Sequence, residues 1–423
     1  MRLGILSQYY PPEMGAPQAR LSELAARFVQ RGHEVTVLTA MPNYPGGKIM
    51  PGYGGWFRSE NMDSVRVKRC WIYPSNSVEK LPRLASYASF VASSAVLGMF
   101  TLPDVDFLLT ESPPLFLGIS GYALARLKRA RWIFNVSDLW PESAVRLGII
   151  GPGIALRLAQ RLEAWCYRNA WLVSGQSAGI LADIHARFPQ VPTYHLSNGV
   201  DTTMFVPATI PPGPRTESVD LDDCLIMYAG LHGIAQGLDL VLEAARRIDG
   251  KLRARFVFAG DGPEKRGLIQ KARDLGLRNL RFMDPMPREN IPAALRQADI
   301  AVVPLKLDLP GAVPSKLYEA MAVGIPVVLV GEGEPAAIVR ETKAGLVVRP
   351  GNVSELEAAV RTLATDRRLR AEYGANGRRA ALERFDRRHI ADAFINYLEN
   401  RLNHAETMQA ALKYASMTES AGD

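Results

Sequence analysis

Short apolar runs and amphipathic stretches alternate along most of this chain. Residues 2–7 read as a buried strand. Leu21, Leu24, Ala25 and Phe28 then recur at helical spacing, with Arg20, Glu23, Arg27 and Arg31 on the opposite face. Gly32 and His33 close that helix, and residues 34–38 form the next strand. Further strands are expected at 65–70, 107–110, 132–136, 171–174 and 193–196. Residues 206–222 break the rhythm: Pro207, Pro211, Pro212, Gly213 and Pro214 sit among polar residues, as in a linker. The alternation restarts at 225–229, 256–259, 280–282, 300–303 and 326–330, and from about residue 353 the pattern is helical. Such alternation predicts an α/β fold of parallel sheets with helices on both faces, as two Rossmann-like doubly wound domains. One larger doubly wound domain is the alternative.

Two stretches of the first half bear on membranes. Residues 84–103 carry no charge, and twenty such residues are long enough to span a bilayer. Ser86, Ser89 and Ser93 form a polar stripe at helical spacing, Leu84, Ala88, Val91 and Ala95 an apolar side, and Pro103 an end. This pattern favours a core or interfacial helix over a span. The basic run from Arg126 to Arg131 follows an apolar helix starting near Leu115. It fits a solvated helix C-terminus, where cations are favoured, or a contact with anionic lipid.

Composition changes this picture little, whereas charge changes it more. The chain has 423 residues, 48% hydrophobic and 22% charged, which suits two or three soluble globular domains. Cys70, Cys166 and Cys224 match no metal spacing and are expected as buried thiols in a reducing cytosol. The opening strand is too short and too soon interrupted for a signal peptide. The net charge of +7 lies wholly in residues 1–200, which hold 20 Lys and Arg against 13 Asp and Glu. That half would attract lipid headgroups, a pyrophosphate-linked acceptor or nucleic acid. No nucleic-acid-binding signature accompanies the charge, so nucleic acid is not expected as a partner.

The chemistry concentrates in the stretch from Gly311 to Val328. Pro314 can open a short helix there, Gly324 can end it, and Pro326 cannot continue it. Ser315, Lys316 and Leu317 then occupy the first turn, where free N–H groups and the helix dipole favour an anion. Glu319 follows one turn on along the same face as Ser315. A carboxylate there suits the paired hydroxyls of a ribose beside a diphosphate held by Lys316. An ordinary helix-to-strand turn with a surface lysine and glutamate fits the same residues. This segment resembles the donor-site signature of retaining GT-B-fold glycosyltransferases of group 1 (family four). The nearest resemblance is to the branch that builds bacterial surface polysaccharides, including colanic-acid-type fucosyltransferases.

Other loops carry the resemblance further. Gly15, between the first strand and first helix, is similar to the family's glycine loop facing the donor diphosphate, although Ala16 replaces the usual second glycine. Gly230, His232 and Gly233 resemble the second phosphate loop. Gln236 stands where a lysine is common, which shifts weight onto Lys316 and leaves His232 as a donor to phosphate or as a structural turn residue. Gly260 and Asp261 match the glycine-rich turn beside the nucleoside, though plain turn chemistry explains them too. Asp138 and Glu142 lie in the run Asp-Leu-Trp-Pro-Glu-Ser. This run resembles the colanic-acid-type branch, with Ser137 in place of the wider family's histidine. The resemblance puts both carboxylates on the acceptor side; an N-cap aspartate and a surface glutamate are the plainer account. The wider family carries two glutamates eight positions apart; Glu319 is the second, and Gly311 occupies the place of the first.

The resemblance implies two Rossmann-like domains facing a central cleft: residues 1–205 on the acceptor and membrane side, and 206–385 on the donor side. Residues 386–423 would form a helix crossing back, with a frayed tail from Lys413. It implies retaining sugar transfer from a UDP- or GDP-sugar to a lipid-linked saccharide for O-antigen, capsule or exopolysaccharide. That would take place in the cytoplasm at the anionic inner face of the bacterial membrane. No cofactor and no metal are implied. Lys316, Asp138 and Glu142 are the candidate catalytic residues, and Gly15, Gly230, His232, Gly233, Gly260, Asp261, Gly311, Ser315, Lys316, Leu317 and Glu319 the candidate donor-binding ones. A sugar-nucleotide epimerase on the same scaffold, or a non-catalytic partner in polysaccharide synthesis, are the alternatives.

Overall fold

The computed structural model describes residues 1–75, 80–208, 223–306 and 311–419, so most of the expected linker lies outside the described residues. Fourteen strands are described. They are β1 (Arg2–Leu6), β2 (Glu34–Ala40), β3 (Phe57–Met62), β4 (Val65–Cys70), β5 (Phe107–Ser112), β6 (Arg131–Val136), β7 (Leu172–Gly175), β8 (Thr193–His195), β9 (Cys224–Ala229), β10 (Ala254–Ala259), β11 (Leu280–Met283), β12 (Ile300–Pro304), β13 (Val327–Val330) and β14 (Gly345–Val348). The helices are α1 (Ala16–Gln30), α2 (Lys80–Thr101), α3 (Leu117–Leu127), α4 (Glu142–Arg146), α5 (Ile154–Asn169), α6 (Ala178–Arg187), α7 (Leu238–Ile248), α8 (Lys265–Asp274), α9 (Ile291–Leu295), α10 (Ser315–Val323), α11 (Gly333–Thr342), α12 (Val353–Thr365), α13 (Arg367–Arg384) and α14 (Arg387–Glu419).

One sheet runs β3-β4-β2-β1-β5-β6-β7-β8 and the other β11-β10-β9-β12-β13-β14. β3 is antiparallel to β4, and the second sheet is parallel throughout. The fold is therefore α/β with two Rossmann-like sheets. Two strands escape the sequence pattern. β3 is a mostly exposed edge strand without alternation, and β14 has only four residues. The chain divides into two compact units: Met1–Thr110 with Ser120–Trp132 and Arg388–Asp423, and Glu111–Ile119 with Ile133–Arg387.

In the first unit, Leu21, Leu24, Ala25 and Phe28 are buried as their spacing predicts. The opposite face of α1 is not simply solvated. Arg20 is buried, and Arg27 and Arg31 reach Asp392 of α14 at 2.6 and 3.1 Å. His33 meets Glu399 at 3.1 Å, and Phe28 meets Phe394 at 6.3 Å between ring centroids. The basic face of α1 is thus the seat of α14, which continues as helix through residues 413–419, where a frayed tail was expected.

In α2 the polar stripe is the side turned to the protein. Ser86 and Ser94 are buried; Ser89 accepts from Tyr73 N at 2.8 Å, and Ser93 donates to Trp71 O. The serine stripe faces the protein because it satisfies backbone groups there. Of the apolar side, Leu84 and Ala88 are exposed, together with Val96, Met99 and Phe100 (78%), while Val91 and Ala95 are half-buried. Leu81–Thr101 is long and apolar enough to cross a membrane by length and composition, yet only 22% of it is buried.

In the second unit the six-stranded sheet separates two cores. Leu225 and Met227 of β9 join one, while Cys224, Ile226 and Tyr228 join the other, as the two-residue period of a strand requires. All three cysteines are buried and free, and burial pushes the Cys70 thiol up to about 12.

Candidate functional site

The order of the second sheet reverses between its first strand, β9, and its fourth, β12. Loops leaving their carboxyl ends therefore diverge, and such a switch point is where open α/β sheets bind ligands. The loop after β9 contains Gly230, His232 and Gly233, and the chain after β12 leads to α10.

α10 begins at Ser315 with Pro314 as its N-cap, and no side chain among the described residues caps it. Leu317 N donates to Pro314 O at 3.1 Å, while the helical ladder offers no acceptor to the N–H groups of Ser315 and Lys316. Leu317 and Tyr318 are fully buried and anchor the helix in the core. Gly324 ends it in a left-handed conformation, as the sequence implied. Lys316 lies across Gly230. A Cβ on Gly230 would sit 2.0 Å from Lys316 Cε, and the glycine adopts φ +147°. The ammonium is 5.6 Å from the centre of the Tyr228 ring. Burial lowers the Lys316 pKa, opposed by the charge of Glu319. Ser315, Lys316 and Glu319 are half-buried, yet none has a hydrogen-bond or ion-pair partner among the described residues. An uncapped helix start, an unpaired lysine and an unpaired carboxylate thus share one short segment.

The neighbouring turn is built by close backbone approach. Gly230 N donates to Ala259 O at 2.8 Å, and a Cβ on Gly260 would lie 2.0 Å from Gly230 O. Asp261 is exposed and accepts from Gly262 N at 2.8 Å, which is turn chemistry. Gly233 opens a single 3-10 turn, Ile234–Gln236. The His232 ring is fully buried among Tyr228, Phe258 and Phe282, with neither nitrogen partnered among the described residues. Burial, then the charges of Lys265 and Lys316, lower its pKa to about 4. Burial therefore favours the neutral imidazole, which still carries one N–H donor. Lys306 escaped the sequence reading. It follows the carboxyl end of β12, and its Cβ packs where a Gly237 side chain would stand. That strand-end position was the available signal.

Gly311 rests on the start of α6. Ser177 caps that helix through Ile180 N, and the Glu334 carboxylate accepts from Ala178 N (3.0 Å) and Gly179 N (2.7 Å). Asp138 is half-buried; burial raises its pKa, and its carboxylate accepts from the Ser143 hydroxyl. It is not the N-cap of α4, which is Pro141. Glu142 is exposed and pairs with Arg146 at 2.9 Å on its own helix. Sequence reasoning missed Glu111, buried at the carboxyl end of β5. It accepts from Asn135 Nδ2 at 2.6 Å and from the Ser137 hydroxyl, while Ser174 Oγ donates to Asn135 Oδ1 at 2.7 Å. A lone acid closing an apolar strand was the signal.

In the first unit, Gly15 is the N-cap of α1 in an extended conformation open to any residue. Glu13 fastens its loop: the buried carboxylate accepts from Asn43 N and Tyr44 N at 2.8 Å and from Tyr10 N at 3.3 Å. Burial raises the Glu13 pKa against the pull of those bonds.

The fold and the family matches define a GT-B-type glycosyltransferase. Residues 15–199 match the glycosyl transferase 4-like domain and 215–380 the glycosyl transferases group 1. The chain belongs to this glycosyltransferase family. It is 27% identical over 418 residues to the putative colanic acid biosynthesis glycosyl transferase WcaI of Escherichia coli K12, covering 94% of this chain and 99% of that one. It is 33% identical over 377 residues to the D-inositol 3-phosphate glycosyltransferase of Geodermatophilus obscurus, covering 84% and 79%. Anabaena HepE, solved with UDP and glucose, has the same fold: TM-score 0.70, 19% identity, 95% of this chain and 100% of that one.

Proposed function

We propose that this enzyme transfers a sugar, with retention at the anomeric carbon, from a UDP- or GDP-sugar to a lipid-linked saccharide in bacterial surface-polysaccharide synthesis. The observation that carries the donor reading is the unpaired set Ser315, Lys316 and Glu319 at the uncapped start of α10. In this reading the α10 amides and Lys316 hold the diphosphate, and Glu319 takes the ribose hydroxyls. The sugar–oxygen bond breaks with oxocarbenium character. Lys316 and the fixed dipoles stabilise the charge growing on the leaving phosphate, a preorganised effect that commonly dominates catalysis. The leaving phosphate accepts the proton of the incoming acceptor hydroxyl. No metal enters this scheme; Lys316 supplies the countercharge. The kinship with WcaI and the UDP held by HepE support the donor and pathway class.

Thermal stabilisation by UDP, GDP and their sugars tests the donor site. A ligand at one hundred times its Kd adds about 2.7 kcal/mol to apparent stability. Stabilisation by one nucleotide series is expected, lost in Lys316→Ala and Glu319→Ala. Equal stabilisation of both variants would place the nucleotide elsewhere.

The same reading sets the enzyme on the cytoplasmic face of an anionic membrane. The outward apolar face of α2, with Val96, Met99 and Phe100, supports this. Basic residues lie close by, since α2 packs on α3 through Gly98 and Leu124 and the run Arg126–Arg131 follows directly. Burying one such large side chain is worth roughly 1.5–3 kcal/mol. Met99→Asp/Phe100→Asp is expected to lose tenfold or more, roughly 1.4 kcal/mol or more, of the affinity for phosphatidylglycerol vesicles in a sedimentation assay. Unchanged co-sedimentation would remove α2 from the membrane contact.

A further inference from the structure

The first unit carries a group of aromatic rings that the donor site does not use. β1, β2 and β4 run parallel, so Tyr9, Tyr44, Trp71 and Tyr73 all follow strands at one edge of the sheet. β3 runs the other way and brings Trp56 to that edge: Phe57 pairs with Cys70, and Trp71 N donates to Trp56 O at 3.0 Å. This is the carboxyl edge, where α/β sheets receive ligands. Trp56 is 72% exposed and lies on Trp71, with ring centroids 5.1 Å apart and planes at 38°. Tyr44 and Tyr73 are exposed beside their strand ends, and Tyr44 meets Tyr9 edge-on at 5.7 Å.

The support beneath these rings is buried and fixed. Arg69 has no exposed side-chain surface. It pairs with Glu60 of β3 and donates to Pro11 O, in the loop after β1, and to Ala40 O at the end of β2. Its guanidinium also lies 5.0 Å from the Tyr53 ring, whose neighbour Arg58 is at 4.7 Å. A large aromatic held open to water on such a frame marks a binding surface, because water is a poor partner for its face. Charged and polar groups interleave with the rings: Arg58 beside Tyr53, Lys68 donating to Ser59 Oγ at 2.8 Å, and Arg83 donating to Tyr87 Oη at 3.0 Å. A pyranose presents an apolar C–H face and a rim of hydroxyls, and this surface offers a partner for each. A lipid chain needs no such donors and is better matched by the uncharged face of α2.

We propose that Trp56, tilted against Trp71, is a sugar-stacking subsite for the saccharide acceptor. The assignment rests on the transferase reading above and names how that acceptor is gripped. The test titrates short neutral and uronic-acid-containing hexose oligosaccharides into wild type, Trp56→Ala and Trp56→Phe. It follows tryptophan fluorescence, the indole N–H signals and nucleotide-induced stabilisation in parallel. Trp56 is largely exposed, so Trp56→Ala should fold and keep its nucleotide-induced stabilisation. Expected is an oligosaccharide response in wild type, weakened about tenfold or more in Trp56→Ala and largely restored in Trp56→Phe. An oligosaccharide affinity that Trp56→Ala leaves unchanged, or no response in wild type, overturns the subsite. Loss of vesicle binding in Trp56→Ala without any sugar effect overturns it in favour of a membrane contact. Failure of wild type to bind any nucleotide sugar would sink the transferase reading, while the oligosaccharide titration would still decide the subsite.

Discussion

Lys316→Ala is expected to lower kcat by about 10²–10³-fold, the loss typical of removing one preorganised donor to a developing anion. The apo protein should melt no lower than wild type. The two signs follow from one fact. The lysine is desolvated, with no hydrogen-bond or ion-pair partner among the described residues and only the charge of Glu319 opposing its burial, so its charge costs stability in the empty enzyme and is fully compensated only when the diphosphate arrives. The pH dependence has a sign as well. Burial holds the Lys316 pKa below its ordinary 10.5. A bound dianion raises it again, so donor affinity is full below the lowered pKa and weakens as pH rises through it. Lys316→Ala should be flat across that window. A variant with near-normal kcat, or one retaining the alkaline loss of affinity, would remove Lys316 from the reaction.

Much of this was legible in the sequence because α/β folds write their elements locally. The strand at Ile300–Pro304 and the Pro314-to-Gly324 helix are fixed by apolar runs and by residues with restricted backbones. Direction was harder to read. The serines of α2 form a polar stripe in any helical projection, and whether that stripe seeks water or backbone depends on Tyr73 N and Trp71 O, distant in sequence. The arginines of α1 read as solvated because Asp392 and Glu399 lie more than 350 residues away. Within the site, the motif located Ser315, Lys316 and Glu319. It did not show that the His232 ring turns into an aromatic core, nor that Glu111 is engaged by Asn135 and Ser137. A local pattern reports what a side chain is; its partners belong to the tertiary fold.

Gly230→Ala should come close to the Lys316→Ala defect without touching a charge. Its φ of +147° is a conformation L residues rarely adopt, costing of order 1–3 kcal/mol. Its new Cβ would meet Lys316 Cε at 2.0 Å, and of the two the flexible lysine yields. The expected result is a lowered melting temperature together with a kcat reduced about 10²-fold, because the ammonium is moved from where charge develops. The double variant separates the two effects. If Gly230→Ala acts by displacing Lys316, adding it to Lys316→Ala lowers kcat no further, and part of the lost stability returns because the clashing partner is gone. Residues in contact are expected to show such coupling, whereas independent ones add within about 0.3–0.5 kcal/mol. Additive losses in kcat would mean that the glycine serves the turn alone, and that Lys316 reaches its ligand by a path Gly230 does not control.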